Sequence, residues 1–106
     1  MVKITFYLPQ VDNDGRNLCG DIAETLDELY AEFGGYTDFG EINGKFRMAN
    51  GKCRWDRLYA FSVCFEDNCN FVQEGHLISI LNGFKARTLQ ESIYVEVQRD
   101  VDIRFI

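Results

Sequence analysis

The chain has 106 residues, 46% of them hydrophobic, and a formal net charge of −6. This length predicts one domain, residues 1–106, with a core large enough to fold without crosslinks. The acidic balance argues against direct nucleic-acid binding, which rests on neutralising phosphates, and no apolar run reaches the roughly 18 residues of a membrane span.

Val2, Ile4, Phe6 and Leu8 alternate with Lys3, Thr5 and Tyr7, the period of a half-buried strand that Pro9 ends. The stretch Gln10–Arg16 is rich in turn formers. Leu18, Ile22, Leu26, Leu29 and Phe33 recur at helical spacing, which predicts a helix over Asn17–Phe33 stopped by Gly34-Gly35. A second strand is expected from Tyr36 toward Phe46, with Gly40 and Gly44 marking bulges or an exposed edge. Asn50-Gly51 sets a hairpin turn. Strand three, Leu58–Phe65, turns Tyr59, Phe61, Val63 and Phe65 to one face, and Leu58, Ala60, Ser62 and Cys64 to the other. Phe71–Ala86 reads as a second helix with Leu77, Ile80, Leu81 and Phe84 on its apolar side. The last strand, Ser92–Val97, buries Ile93, Val95 and Val97 and exposes Tyr94 and Glu96. A tail, Val101–Ile106, alternates again and is expected to pair with a sheet edge or another subunit.

This β-α-β-β-α-β order predicts an α+β, ferredoxin-like sandwich: an antiparallel sheet with both helices on one face. The other face is left open. It carries Lys3, Thr5, Tyr7, Ser62, Cys64, Tyr94 and Glu96, fewer charges than a solvated sheet face normally shows. Such a surface suits a subunit interface or a ligand pocket within one. An aromatic ring and a carboxylate together can receive a cationic ligand such as a sulfonium.

A second candidate lies at one end of the sheet. The Gln10–Arg16 loop, the Lys45–Arg57 hairpin and the Arg87–Gln90 turn gather Asn13, Asp14, Arg16, Arg47, Arg54, Trp55, Arg87 and Gln90 beside the start of helix one. Basic groups near a helix N-terminus can hold an anion; equally, Asn13 and Asp14 can simply turn the chain while the hairpin bases are solvated. Charge is also segregated. Asp21, Glu24, Asp27, Glu28, Glu32, Asp38 and Glu41 fall between Arg16 and Lys45 with no base among them. That acidic helix face is either solvated or a docking surface for a basic partner.

The cysteines Cys19, Cys53, Cys64 and Cys69 form no C-x-x-C pair, and the only histidine is His76, placed on helix two near Glu74. Met1 leads straight into a strand pattern instead of a secretory leader. Reduced structural thiols, no metal, no cofactor and a cytoplasmic location are expected. No nucleophile triad, phosphate loop or dinucleotide fingerprint is present. Chemistry here needs positioning and one or two polar groups, as in a unimolecular elimination or intramolecular displacement.

The segments G-K-F-R-M-A-N-G-K (Gly44–Lys52) and F-K-A-R-T-L-Q-E-S-I (Phe84–Ile93) resemble a family of small bacterial and phage proteins of unknown function. Phe46 stands where that family usually has tryptophan, and Leu89 where it has phenylalanine. At the level of fold the layout is similar to the trimeric nitrogen-signalling proteins and to the phage lyases that degrade S-adenosylmethionine. The latter resemblance implies sites between subunits and a counter-defence role. The expectation is therefore a homo-oligomeric small-metabolite enzyme, most concretely an S-adenosylmethionine lyase. Its catalytic candidates are Glu96, Glu66 and Tyr94; its ligand-binding candidates are Tyr7, Thr5, Ser62, Asn13, Asp14 and Arg54. The alternatives are an acidic interaction module binding a basic host surface, and a metabolite-binding regulator.

Overall fold

The computed structural model describes residues 1–66 and 71–106, so Cys69 lies outside the described residues. Its elements are β1 (Val2–Pro9), α1 (Cys19–Phe33), β2 (Thr37–Arg47), β3 (Cys53–Phe65), α2 (Val72–Thr88) and β4 (Val95–Gln98). The sheet order is β2-β3-β1-β4, and every neighbouring pair is antiparallel. The chain has the α+β, ferredoxin-like sandwich that its element order implies. No helix among the described residues is long and apolar enough to cross a membrane.

The core is one layer between sheet and helices. Alternation in β1 buries Val2, Ile4, Phe6 and Leu8 completely, and β3 adds Phe61, Val63 and Phe65. The helices close over them with Leu18, Ile22, Leu29, Leu77, Leu81 and Phe84. Each such side chain contributes about 1.5–3 kcal/mol of transfer free energy. Leu26 and Phe33 pack only partly against this core. Thr25 is fully buried instead, because its hydroxyl is satisfied by donating to the Asp21 carbonyl at 2.9 Å.

Several boundaries differ from the sequence expectation. Helix α1 starts at Cys19, where the Asn17 side chain accepts from the Cys19 amide at 2.8 Å. It stops at Gly34, left-handed at φ 75°. Strand β3 begins five residues before Leu58, at Cys53, because the hairpin ladder continues down to the turn, where the Met48 amide donates to the Lys52 carbonyl at 2.8 Å. Helix α2 runs on to Thr88 and ends on Leu89, left-handed at φ 56°. Strand β4 is only four residues long, and Val97, expected to be buried, is 38% exposed. It is an edge strand with one partner, β1. Beyond it, Met1 and Val101 exchange two backbone hydrogen bonds of 3.1 and 2.9 Å. Residues 102–106 then leave the sheet without backbone partners among the described residues.

Candidate functional site

The register of the four strands sets the open face as a grid. One row reads Thr37, Ser62, Thr5, Glu96 from β2 to β4. The row beside it has Gly40, Ala60 and Tyr7, and Tyr94 joins it because the Tyr7 amide donates to the Tyr94 carbonyl at 3.1 Å. The two tyrosine rings stack with centroids 4.4 Å apart and planes 12° from parallel. Thus Tyr7, Tyr94, Thr5, Glu96 and Ser62 stand together on one surface. The Glu96 carboxylate, two residues along β4, holds the Tyr94 phenol above its usual pKa; burial and the neighbouring Tyr7 add to the shift. Tyr94 is therefore a neutral ring and hydroxyl at any physiological pH.

A bulge between Asp38 and Gly40 completes this surface. Gly40 adopts φ 82°, open only to glycine without strain, and its amide donates to the Asp38 carboxylate at 2.7 Å. The Phe39 ring meets the Lys3 ammonium at 5.5 Å. Since β3 lies between β2 and β1, that contact bridges the middle strand, and Ser62 beneath it is only 2% exposed. Phe39 was absent from the sequence candidates. The signal that could have found it is Gly40, which marks a bulge able to swing an aromatic onto the open face.

Glu66 is exposed and stands apart from this cluster. It follows Phe65, whose partner is Val2, whereas Glu96 faces Thr5; three to four residue steps along the sheet are about 10–13 Å.

The loop end holds a concavity of about 680 Å³, lined among others by Gln10, Asn13, Arg54 and Trp55. Arg54 is committed there: its Nε donates to Asp56 at 2.7 Å and its Nη2 to the Asn13 side chain at 3.1 Å. Asp14 is exposed on the turn, and its amide donates to the Asp12 carboxylate at 2.9 Å. Asp12 also receives the Arg16 amide at 2.8 Å and its Nε at 3.1 Å. The Arg16 amide is the largest influence holding the Asp12 carboxyl below its ordinary pKa.

Arg87 lies elsewhere, over the acidic face of α1. Its guanidinium is within 3.8 Å of Asp21, 3.6 Å of Glu24 and 3.7 Å of Glu28, and it donates to the Thr25 hydroxyl at 3.1 Å. His76 contacts Glu32 on α1 rather than Glu74; Glu74 pairs with Arg99 at 3.0 Å. The run of acids along α1 is thus answered from α2. Cys19, Cys53 and Cys64 are free and exposed, not packed in the core. Among the described residues no three His, Cys, Asp or Glu side chains gather as metal ligands.

No protein-family model matches this chain, and no curated protein sequence matches it. Solved structures do. The fold is similar to a phage SAM lyase in its apo state, with a TM-score of 0.68 and 12% identity, covering 92% of this chain and 78% of that one. It is similar to a phage SAM lyase in complex with S-methyl-5′-thioadenosine, with a TM-score of 0.66 and 12% identity, covering 92% of this chain and 79% of the other. At that identity the likeness is one of fold, and it is the fold-level similarity that the element order implied.

Proposed function

We propose that this protein is a homo-oligomeric, cytoplasmic small-molecule enzyme that cleaves S-adenosylmethionine, with its site on the open sheet face where subunits meet. The observation that carries the reading is the Tyr7–Tyr94 stack standing one row from Glu96, on a fold shared with phage SAM lyases, one of which binds S-methyl-5′-thioadenosine. Tyr7 and Tyr94 offer π-faces to the sulfonium or to the adenine ring. Glu96 offers a compensating charge and Thr5 a hydroxyl; Ser62, only 2% exposed, reaches a ligand only if Phe39 and Lys3 move aside.

The substrate brings its own nucleophile. An oxygen of its carboxylate attacks the γ-carbon of the methionyl chain, and the carbon–sulfur bond breaks with its electron pair passing to sulfur. The products are a lactone and methylthioadenosine. Atoms and charge balance without water, base or metal, in keeping with a surface that lacks an activated nucleophile. The protein's contribution is to bend the chain into an attack geometry and keep water away.

Charge sets the role of Glu96. The sulfonium is fully positive in the bound substrate and partly discharged in the transition state. A carboxylate facing it therefore stabilises the ground state more than the transition state, and works by binding rather than by lowering the barrier. Glu96→Gln should raise KM while leaving kcat equal or higher. The direct test is incubation of the purified protein with S-adenosylmethionine and chromatography for methylthioadenosine. No product from a folded, oligomeric preparation removes this reading.

A further inference from the structure

We infer that the C-terminal segment, residues 102–106, is an arm that adds as a strand to the free edge of β3 in a second copy of this chain. This inference stands on strand geometry and does not depend on the ligand reading above.

The receiving edge is left open by the unequal lengths of the strands. β1 covers β3 only from Leu58 to Phe65, while β3 begins at Cys53 and pairs with β2 from there to Ser62. On the β1 side, among the described residues, the segment from Cys53 to Arg57 has a single backbone partner: the Gln10 amide, which donates to the Arg57 carbonyl at 3.1 Å. Backbone groups in an antiparallel strand alternate between its two sides. If the Arg57 carbonyl points away from β2, so do the amide and carbonyl of Trp55. They face the 680 Å³ concavity at the loop end. The same concavity is lined by Gln10, whose buried side-chain amide nitrogen has no hydrogen-bond partner among the described residues. Its apolar wall is open to solvent: Trp55 is 71% exposed and Val11 is 46% exposed, although the Lys45 ammonium lies 5.1 Å from the Trp55 ring centroid. An unpaired strand edge, a donor without an acceptor and an exposed tryptophan in one groove fit an extended segment of chain.

The arm has the matching character. It alternates Val101, Ile103 and Phe105 with Asp102 and Arg104, the period of a strand with one apolar face. Phe105 is 94% exposed, and nothing in its own fold covers it. Arg54 and Asp56 in the groove are paired with each other at 2.7 Å, which leaves Arg57 on its wall as the charge that can meet Asp102.

The arm cannot reach the groove of its own chain. Val101 is tied to Met1, at the start of β1, and the groove begins at Pro9, at its end. An eight-residue strand separates them, about 26 Å. Five extended residues span at most about 17 Å, and β4 runs antiparallel to β1, so the arm departs in the opposite direction. Only another molecule's groove is available. Every closed assembly of this kind places one arm in each groove.

Trp55 is the only tryptophan in the chain, so its fluorescence reports on the groove alone. The full chain should show a concentration-dependent blue shift of this emission, in step with the rise in mass by light scattering. A chain ending at Val101, and separately Phe105→Asp in the full chain, should self-associate at least about tenfold more weakly and keep the red-shifted emission. Adding a synthetic peptide of the last six residues to the shortened chain should restore the blue shift, and a scrambled peptide should not. Phe105 has no role inside its own fold, so its variant stays informative if shortening impairs folding. A full chain that stays monomeric, or equal association and emission in the parent and both variants, overturns the inference.

Discussion

Tyr7 and Tyr94 lie face to face across β1 and the start of β4, 4.4 Å between centroids, and one backbone hydrogen bond of 3.1 Å fixes their alignment. The pair does two things. It closes the open face at the short edge strand, where a stacked aromatic pair adds about 0.5–1.5 kcal/mol beyond area burial. It also leaves two aromatic ring faces beside the Glu96 carboxylate, an arrangement suited to a cation.

The open face and the loop end can be told apart by substitution. Tyr94→Ala and Glu96→Gln should each weaken S-adenosylmethionine binding while the protein stays folded, Glu96→Gln by roughly 1–3 kcal/mol. Arg54→Ala should leave binding nearly unchanged, since Arg54 is engaged with Asp56 and Asn13. Calorimetric titration checks all three, and retained affinity in both Tyr94→Ala and Glu96→Gln excludes the open face.

The closeness of Tyr94 and Glu96 is testable without any ligand. Glu96 is the leading cause of the raised phenol pKa, so Glu96→Gln should move the Tyr94 titration back toward its ordinary value. Ultraviolet titration against Tyr94→Phe isolates this group. A group whose folded pKa is raised contributes stability that is present below its unfolded pKa and lost as pH climbs through the folded value. Stability tied to Tyr94 therefore falls only in strongly alkaline solution.

Helix α1 should be structural on one face. Leu29 is fully buried, and Leu29→Ala should cost about 2–5 kcal/mol through the cavity it leaves. Glu28 is 42% exposed and 3.7 Å from Arg87; Glu28→Ala should cost less than about 0.5 kcal/mol. Urea unfolding midpoints for the two variants would agree only if the helix were turned about its axis.

Gly40→Ala should destabilise by about 1–2 kcal/mol, because φ 82° forces a Cβ into the left-handed region. There is open space around the position, so the cost is backbone strain and not collision. Loss of the bulge would also withdraw Phe39 from Lys3. Thermal unfolding and the methyl and ring NMR shifts around Ser62 would show both effects.

Acid should loosen the loop that joins β1 to α1. Asp12 has a lowered pKa through the Arg16 amide and side chain and the Asp14 amide. Its contribution is therefore in place above the ordinary carboxylate pKa, near 4, and is lost as pH falls through the lower folded value. Amide exchange at Asp14 and Arg16 should rise over that window. In Asp12→Asn the exchange should be faster at neutral pH and much less dependent on acid.

The sequence by itself determined the element order, the buried faces of β1 and α1, and the placement of Tyr7, Thr5, Ser62 and Glu96 on one surface. Period-two and helical patterns are local, and a strand's face follows from counting residues. Other features were decided only by the tertiary structure. Register between strands put Glu96 beside Thr5 and left Glu66 about 10 Å or more away, which no local pattern encodes. The packing of α2 against α1 brought Arg87 onto Asp21, Glu24 and Glu28, and Glu32 onto His76, joining charges more than 40 residues apart in the chain. The unpaired stretch of β3 is likewise a difference between two strand lengths, visible only once β1 lies against it. Local sequence fixes which way a side chain points, because the backbone repeat is short. What it points at depends on long-range pairing, and that is settled when the whole sheet assembles.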